Sequence, residues 1–176
     1  SAFDSSDLDV KIAGEVKGFD PQSFLQAKDL KKTPRFVQFS IAAAKEAFAD
    51  AAIDLPSKNA YRYGCSIGVG IGGIEGIEKT STIYRHKGVK RVSPFFIPSV
   101  IANMAAGNTA IYFGLKGPNN CTSTACASGS HAIGDAWFYI KQGLADVMLC
   151  GGSESTITEL TIAAFSNMKA LSKKND

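Results

Sequence analysis

Residues 119–140 read "NNCTSTACASGSHAIGDAWFYI" and place a strand-like segment directly before a helix-like one. The threonine-rich "NCTSTAC" favours a strand because β-branched residues are enriched in sheets, and "ASGSHAIGDAWFYIKQG" has apolar residues at helical spacing. At the junction, Cys126 has only small neighbours: Ala125, Ala127, Ser128 and Gly129. A sharp strand-to-helix turn tolerates small neighbours only and presents its central side chain at the helix start. The stretch therefore predicts such a turn at Cys126.

Helical patterns lie on both sides of this stretch. After Pro34, the apolar residues of "FVQFSIAAAKEAFADAAIDL" recur three or four apart and predict an amphipathic helix. The segment "PSVIANMAAGNTAIYFGLKGP" predicts a single helix that starts at Pro98–Ser99 and stops within Gly114–Pro118. Near the end, "ELTIAAFSNMKAL" predicts one more helix. The polar, basic "EGIEKTSTIYRHKGVKRVS" predicts either an irregular excursion or a helix with a loop.

Short apolar runs separate these helices. "YRYGCSIGVGIGG" predicts a strand that ends in glycines, and "ADVMLCGGSES" predicts a buried strand that ends in a double glycine. Helices that alternate with short apolar strands are typical of an α/β layered fold with a mostly parallel sheet.

Composition narrows the functional classes. The chain has 176 residues, 45% of them hydrophobic, and a net charge of +3, which is too small to predict nucleic-acid binding. The sequence contains no apolar run of the length that a membrane span needs. Four cysteines without a C-x-x-C pair, together with two histidines, make a zinc site an unlikely prediction. The sequence predicts a soluble protein of a reducing, intracellular compartment.

The residues around Cys126 leave two interpretations open. Unpaired N–H groups and the positive dipole end at a helix start favour a thiolate and could also stabilise an oxyanion, which makes Cys126 a candidate nucleophile. Alternatively, Cys126 is a small buried residue at a tight turn, since buried cysteines are common. For Cys121, Cys65 and Cys150, which lie in strand-like runs, simple packing is the better prediction.

Neither histidine is predicted to serve Cys126. His131 follows Cys126 by five positions, about 140° around a helix, so its side chain should point away from the thiol and pack on the helix. His86 lies in a basic segment and is predicted to be solvated.

A glycine motif raises a competing hypothesis, a nucleotide-binding oxidoreductase. Gly68, Gly70 and Gly73 satisfy G-x-G-x-x-G after an apolar run. The motif also requires a following helix, which the sequence does not clearly predict, and an acidic residue about twenty positions on, where the chain has "RHKGVKR". We therefore interpret the glycines as sites of close backbone approach.

The whole stretch "GPNNCTSTACASGSHAIGDAWFYIKQGLADVMLCGGSES" resembles the active-site segment of the β-ketoacyl-acyl carrier protein synthases, the elongating condensing enzymes of the thiolase superfamily, and is most similar to their synthase II type. "GVGIGG", "VSPFFIPSVIANMAAG" and "ALSKKND" extend the resemblance, which runs from "KIAGEVKGFDP" onward. It implies a thiolase-like αβαβα fold. Residues 1–176 would form a single incomplete N-terminal domain, without the family's first strand and second half.

The resemblance implies an activity and a set of site residues. Cys126 would accept an acyl chain from acyl carrier protein, and malonyl-acyl carrier protein would lose carbon dioxide and condense with that chain, without a cofactor or metal. Family histidines, a lysine and a phenylalanine of the second half have no counterpart here. Two further groups of residues match family positions: Ile71, Phe96 and Ile97 at the acyl pocket and dimer interface, and Lys28, Lys31 and Lys32 at the carrier-protein surface.

Each assignment has a structural alternative. Ile71 could be a core isoleucine, the phenylalanines beside Phe96 could be core or interface anchors, and the lysines could be a solvated helix face. Both interpretations of Phe96 require burial. A second basic run, Arg85 to Arg91, stays unassigned.

The implied protein is a cytoplasmic homodimer of the bacterial cytosol, or alternatively of an organelle stroma or matrix. It would bind neither nucleic acid nor membrane. The alternatives are a non-condensing partner subunit that binds acyl carrier protein, which in this superfamily replaces the cysteine, and a degradative thiolase or synthase III. "SPFFIPSVIANMAAG" favours the elongating type.

Overall fold

The computed structural model describes residues 3–175. The chain divides into two compact units, a larger one over Pro21–Ser155 and a smaller one that combines residues 3–20 with residues 156–175. The elements of the larger unit are α1 (Ala27–Leu30), α2 (Arg35–Asp50), β1 (Tyr63–Gly68), α3 (Ile74–Lys87), α4 (Phe96–Val100), α5 (Met104–Phe113), β2 (Asn119–Asn120), α6 (Ser128–Lys141) and β3 (Val147–Gly152). The smaller unit contains α7 (Glu159–Asn167).

The three strands of the larger unit form a parallel sheet in the order β2-β1-β3. Cys65 of β1 lies opposite Asn119 on one side and Leu149 on the other. This arrangement confirms the predicted parallel sheet. The predicted strand in "NCTSTAC" is shorter than expected, because the ladder stops at Asn120, although the Val69 N–H still donates to the Thr122 carbonyl at 3.1 Å.

The core of the larger unit forms on one face of this sheet. Alternate residues of β1 and its continuation, Cys65, Ile67 and Val69, pack with apolar residues of α2 and α5. The other face carries α6, which buries Ser128, Ala132 and Ala136. The prediction of a buried strand at "ADVMLC" is wrong in degree, because β3 lies at the sheet edge and its residues are half-buried.

The predicted single helix from Pro98 is wrong, because the chain breaks it into α4 and α5. The break follows from a long-range contact: the Val100 carbonyl, which a continuing helix would use, accepts from the Gly73 N–H at 3.1 Å. The predicted stop is confirmed, since Gly114 caps α5 in the left-handed conformation at φ +69°.

Helix α3 begins directly after Gly73, so the sequence-based doubt about a helix at that position was wrong. No residue of α3 is buried. The helix ends at Gly88, where φ is +78°.

In the smaller unit, side chains near the two chain ends hold the two segments together. Asn175 accepts from the Lys11 N–H at 2.7 Å and donates to the Asp9 carbonyl at 3.0 Å. The Lys173 ammonium lies 2.5 Å from the Asp9 carboxylate, and this hydrogen bond lowers the pKa of Asp9. The predicted helix near the end is confirmed as α7.

No helix within residues 3–175 combines the length and the apolar character needed to cross a membrane.

Candidate active site

Cys126 lies on a tight turn between the end of β2 and the start of α6. Residues Ala125–Ala127 form a single 3₁₀ turn, and α6 begins at the next residue, Ser128. Ala125 has φ +51°, a left-handed conformation that costs a non-glycine residue about 1–2 kcal/mol. Strain of this kind is concentrated at functional sites. The turn leaves Cys126 exposed, so the alternative of a buried cysteine is wrong for this chain.

The hydroxyl of Ser128 holds the turn together. It accepts from the Thr124 N–H at 2.9 Å and donates to the Ala125 carbonyl at 2.6 Å. Ser128 is only 3% exposed, so these backbone groups find their partner inside the protein. One buried side chain thus connects the residues before Cys126 to the first turn of the helix after it.

Glycines bring this turn onto the carboxyl ends of the strands. A Cβ on Gly68, the last residue of β1, would lie 2.1 Å from the Ser128 carbonyl oxygen. A Cβ on Gly152, the last residue of β3, would lie 3.0 Å from the Gly129 Cα. The start of α6 therefore sits directly against the ends of β1 and β3, the edge at which parallel α/β sheets bind ligands.

The loop after β1 lies beside the turn and carries Ile71. The Ser123 hydroxyl donates to the Gly70 carbonyl at 3.3 Å, and a Cβ on Gly70 would lie 3.3 Å from the Ala125 carbonyl oxygen. Ile71 itself is 45% exposed, so the alternative of a core isoleucine is wrong. The structure thus places Ile71 and Cys126 on adjoining segments.

Glu154 fixes the other side of this loop, and the sequence analysis missed it. One carboxylate oxygen accepts from the Ile71 N–H at 2.7 Å, and the other accepts from the Gly72 N–H at 3.0 Å. The residue follows β3 closely, as expected for a group at the carboxyl edge of the sheet. The double glycine before it was noted, but the contact to a loop 82 and 83 positions away was not visible in the sequence.

The four cysteines differ in their surroundings. Burial raises the pKa of the Cys65 thiol to about 12. Burial also raises the pKa values of Cys121 and Cys150, with a smaller contribution to Cys121 from the Glu154 carboxylate. Cys121 packs against the core, as predicted. Cys126 is the exposed member of the four.

The histidines lie apart from the thiol. His131 is half-exposed and its Nε2 lies 3.7 Å from an Asp135 oxygen, so the prediction that it packs on the helix is wrong. Asp135 also accepts from Thr122 at 2.8 Å and from Asn120 at 3.1 Å. His86 is exposed near the end of α3, as predicted.

Phe96 and Ile97 lie at the start of α4, which joins the Ile71 loop. The link is close: a Cβ on Gly72, at φ +85°, would lie 3.0 Å from the Val100 carbonyl oxygen at the end of α4. Phe96 is half-buried and Ile97 is 59% exposed, so the expected burial of this segment is wrong for this chain. The short helix turns these side chains away from the core cluster.

The three predicted docking lysines lie at and just after α1 and are exposed: Lys28, Lys31 and Lys32. The Lys32 ammonium lies 5.3 Å from the centroid of the Phe95 ring, within range of a cation–π contact. The basic surface therefore adjoins the segment that holds Phe96. The second basic run is also exposed, on α3 and the turn after it.

The glycine motif does not form a dinucleotide cradle. The atoms that would meet a Cβ on Gly68 or Gly73 at less than 3 Å are backbone atoms of Ser128, Gly129, Ser99 and Val100. These glycines therefore allow close contact between segments of the protein itself, which leaves no room for a pyrophosphate at those two positions.

The comparisons with known proteins agree with this geometry. The family profile "Beta-ketoacyl synthase, N-terminal domain" matches residues 2–176. The chain is 49% identical over 174 residues to 3-oxoacyl-[acyl-carrier-protein] synthase 2 of Synechocystis sp., and 46% identical to the protein of the same name from Vibrio cholerae. These alignments cover 99% of this chain and 42% of each relative, so the chain spans less than half of their length.

Solved structures give the same fold. A β-ketoacyl synthase from Burkholderia phymatum superposes with a TM-score of 0.82 and 28% identity, over 96% of this chain and 41% of that one. A type II polyketide ketosynthase, solved in complex with its acyl-carrier protein, superposes with a TM-score of 0.83 and 25% identity, over 88% of this chain and 44% of that one. The predicted thiolase-like α/β fold class is confirmed.

Proposed function

Since this chain belongs to the β-ketoacyl synthase family through its N-terminal domain, we propose that it is part of a 3-oxoacyl-[acyl-carrier-protein] synthase of fatty acid biosynthesis. The observation that carries the proposal is the exposed Cys126 on a strained turn at the start of α6. A thiol at this position faces outward, and the helix N–H groups beside it can stabilise negative charge.

In the proposed first step, the Cys126 sulfur attacks the thioester carbonyl of an acyl-acyl carrier protein. A new carbon–sulfur bond forms at Cys126, the carbon–sulfur bond to the carrier breaks, and the carrier thiol leaves with the proton that Cys126 gave up. Backbone N–H groups at the start of α6 are the candidates to bind the oxyanion of the tetrahedral intermediate.

In the proposed second step, malonyl-acyl carrier protein loses carbon dioxide, and the electron pair of the broken bond forms the attacking carbanion. The carbanion attacks the acyl carbonyl on Cys126, and the sulfur leaves as thiolate. The product is a 3-ketoacyl chain two carbons longer on the carrier. His86 and His131 lie away from Cys126, so the proposal assigns the decarboxylation groups to polypeptide outside residues 1–176.

The proposed partner is acyl carrier protein, which would dock at Lys28, Lys31 and Lys32. The exposure of these lysines supports this proposal, because a local positive cluster speeds encounter with an acidic partner. A ketosynthase of similar fold has been solved in complex with its acyl-carrier protein.

We also propose that residues 1–176 belong to a single larger domain of a cytoplasmic homodimer, in which Phe96 and Ile97 meet the partner subunit near its acyl pocket. Apolar side chains on the outer face of α6 support further coverage: Ile133 and Trp137 are 54% and 60% exposed. Faces of this size on soluble proteins are usually covered by other protein.

Selective labelling tests the nucleophile. We expect iodoacetamide at neutral pH to alkylate Cys126 of the full-length polypeptide first, because Cys126 is exposed while burial protects Cys65. Cys126→Ala should abolish both the rapid labelling and the condensation of acyl chains with malonyl-acyl carrier protein. Cys121→Ala is the matched control and should keep both. Unchanged labelling of Cys126→Ala, or condensation without Cys126, would refute the proposal.

A further inference from the structure

Glu154 binds two consecutive backbone N–H groups of the loop that carries Ile71. The donors are Ile71 at 2.7 Å and Gly72 at 3.0 Å, one to each carboxylate oxygen. Hydrogen bonds to an ionised acceptor are about twice as strong as those between neutral groups. The contact joins the segment after β3 to the loop after β1, so it fixes the loop from outside the loop itself.

The same loop is held from the opposite side by the segment that leads to Cys126. Ser123 donates to the Gly70 carbonyl at 3.3 Å. A Cβ on Gly70 would lie 3.2 Å from a Glu154 oxygen and 3.3 Å from the Ala125 carbonyl oxygen. The Glu154 carboxylate and the residue before Cys126 therefore both approach Gly70, and the loop is clamped between them.

This clamp sets the position of Ile71. The Ile71 side chain is 45% exposed, so packing in the core does not fix it. Its backbone N–H, in contrast, donates to Glu154. We infer that Glu154 is a positioning residue which, by holding the Ile71 backbone beside Cys126, determines the length of acyl chain that the cysteine accepts. This inference rests on the proposed function, which supplies the acyl chain.

The chemistry of the carboxylate explains why glutamate suits this position. Both oxygens accept, so a single side chain can bind two adjacent N–H donors. Glutamine offers one accepting oxygen and would turn an NH₂ group toward the second N–H. Alanine removes both acceptors and leaves two part-buried donors without them.

A hydrogen-exchange measurement tests the clamp independently of activity. In Glu154→Ala of the full-length polypeptide, we expect the amides of Ile71 and Gly72 to exchange at least about tenfold faster, since both lose their acceptor. Glu154→Gln should give a smaller increase. Glu75→Gln, which removes an exposed carboxylate paired with Lys79 at the start of α3, is the matched control and should leave these amides unchanged.

Acyl-chain selectivity tests the consequence. We expect the ratio of kcat/KM for long over short saturated acyl-acyl carrier proteins to change by about tenfold in Glu154→Ala and less in Glu154→Gln, in the direction seen for Ile71→Ala. A purely structural role for Glu154 would lower both kcat/KM values together and leave their ratio constant. If Glu154→Ala does not fold, Glu154→Gln carries both measurements.

The outcomes separate this inference from the proposed function. Unchanged exchange at Ile71 and Gly72 in the Glu154 variants would overturn the clamp, and faster exchange with an unchanged chain-length ratio would overturn its role in selectivity. A wild-type protein that does not condense would refute the proposed function and with it the selectivity role, while the exchange measurement would still decide the clamp.

Discussion

Replacing Gly68 by alanine tests whether the start of α6 rests directly on the end of β1. The new Cβ would lie 2.1 Å from the Ser128 carbonyl oxygen, 2.2 Å from the Ser128 carbonyl carbon and 2.7 Å from the Gly129 nitrogen. All three are backbone atoms, so no side chain can rotate away. The start of α6 must shift by about 1 Å to restore ordinary van der Waals distances of about 3.5 Å.

The expected magnitude follows from this shift. Overpacking of a well-packed interior costs about 1–3 kcal/mol of unfolding free energy, and we expect Gly68→Ala to lie at or above the upper end because only backbone can move. The shift also displaces Cys126, two residues before Ser128 in the chain. A misplacement of about 1 Å at a reacting group can cost on the order of a hundredfold in rate.

Gly134→Ala provides the matched control in the middle of α6. No atom lies within 4 Å of a Cβ at Gly134, and alanine is a better helix former than glycine by about 0.5–1 kcal/mol. We therefore expect Gly134→Ala to be neutral or stabilising. Urea unfolding and the rate of Cys126 alkylation, both in the full-length polypeptide, measure the two effects. Equal stability and equal labelling rates for Gly68→Ala and Gly134→Ala would show that the turn is not seated on β1.

Two further predictions concern pH and charge. The folded pKa of Cys65, about 12, exceeds 9.0 for a free thiol, so its contribution to stability is complete below pH 9 and is lost as pH rises toward 12. Cys65→Ala should therefore flatten the decline in unfolding free energy above pH 9 by up to about 1.4 kcal/mol per pH unit in urea titrations; parallel declines would contradict the assignment. Replacing Lys28, Lys31 and Lys32 by glutamate should raise the KM for acyl-acyl carrier protein on the order of tenfold, whereas the exposed Lys45→Glu should not, and an equal effect of both would argue against a docking surface.

Local signals predicted the elements that depend on local physics. The helical spacing after Pro34 predicted α2, the glycine at position 114 predicted the end of α5, and the small residues around Cys126 predicted the turn before α6. Each of these features depends on backbone conformation or on periodicity within a few residues. The turn was predictable because steric limits at a strand-to-helix junction restrict the residues beside it.

The break between α4 and α5 shows what local signals cannot contain. The apolar spacing through residues 98–113 is helical, and Pro98 is tolerated in a first turn. The helix nevertheless ends at Val100, where the carbonyl accepts from Gly73 on a loop far away in the sequence. A hydrogen bond that crosses between segments replaces the next bond within the helix, and nothing in the segment itself indicates this.

Glu154 illustrates the same limit at the candidate site. In the sequence it is one acidic residue after a double glycine, and an exposed carboxylate at a strand end would look the same. Its role depends on the parallel pairing of β1 with β3, which brings Gly68 opposite Gly152 and so places the segments after both strands at one edge. The topology, together with the glycines that let α6 approach both strands, converts an ordinary glutamate into the acceptor for the Ile71 loop. Functional groups of this kind become visible only once strand order and register are known, because the register decides which loops can reach each other.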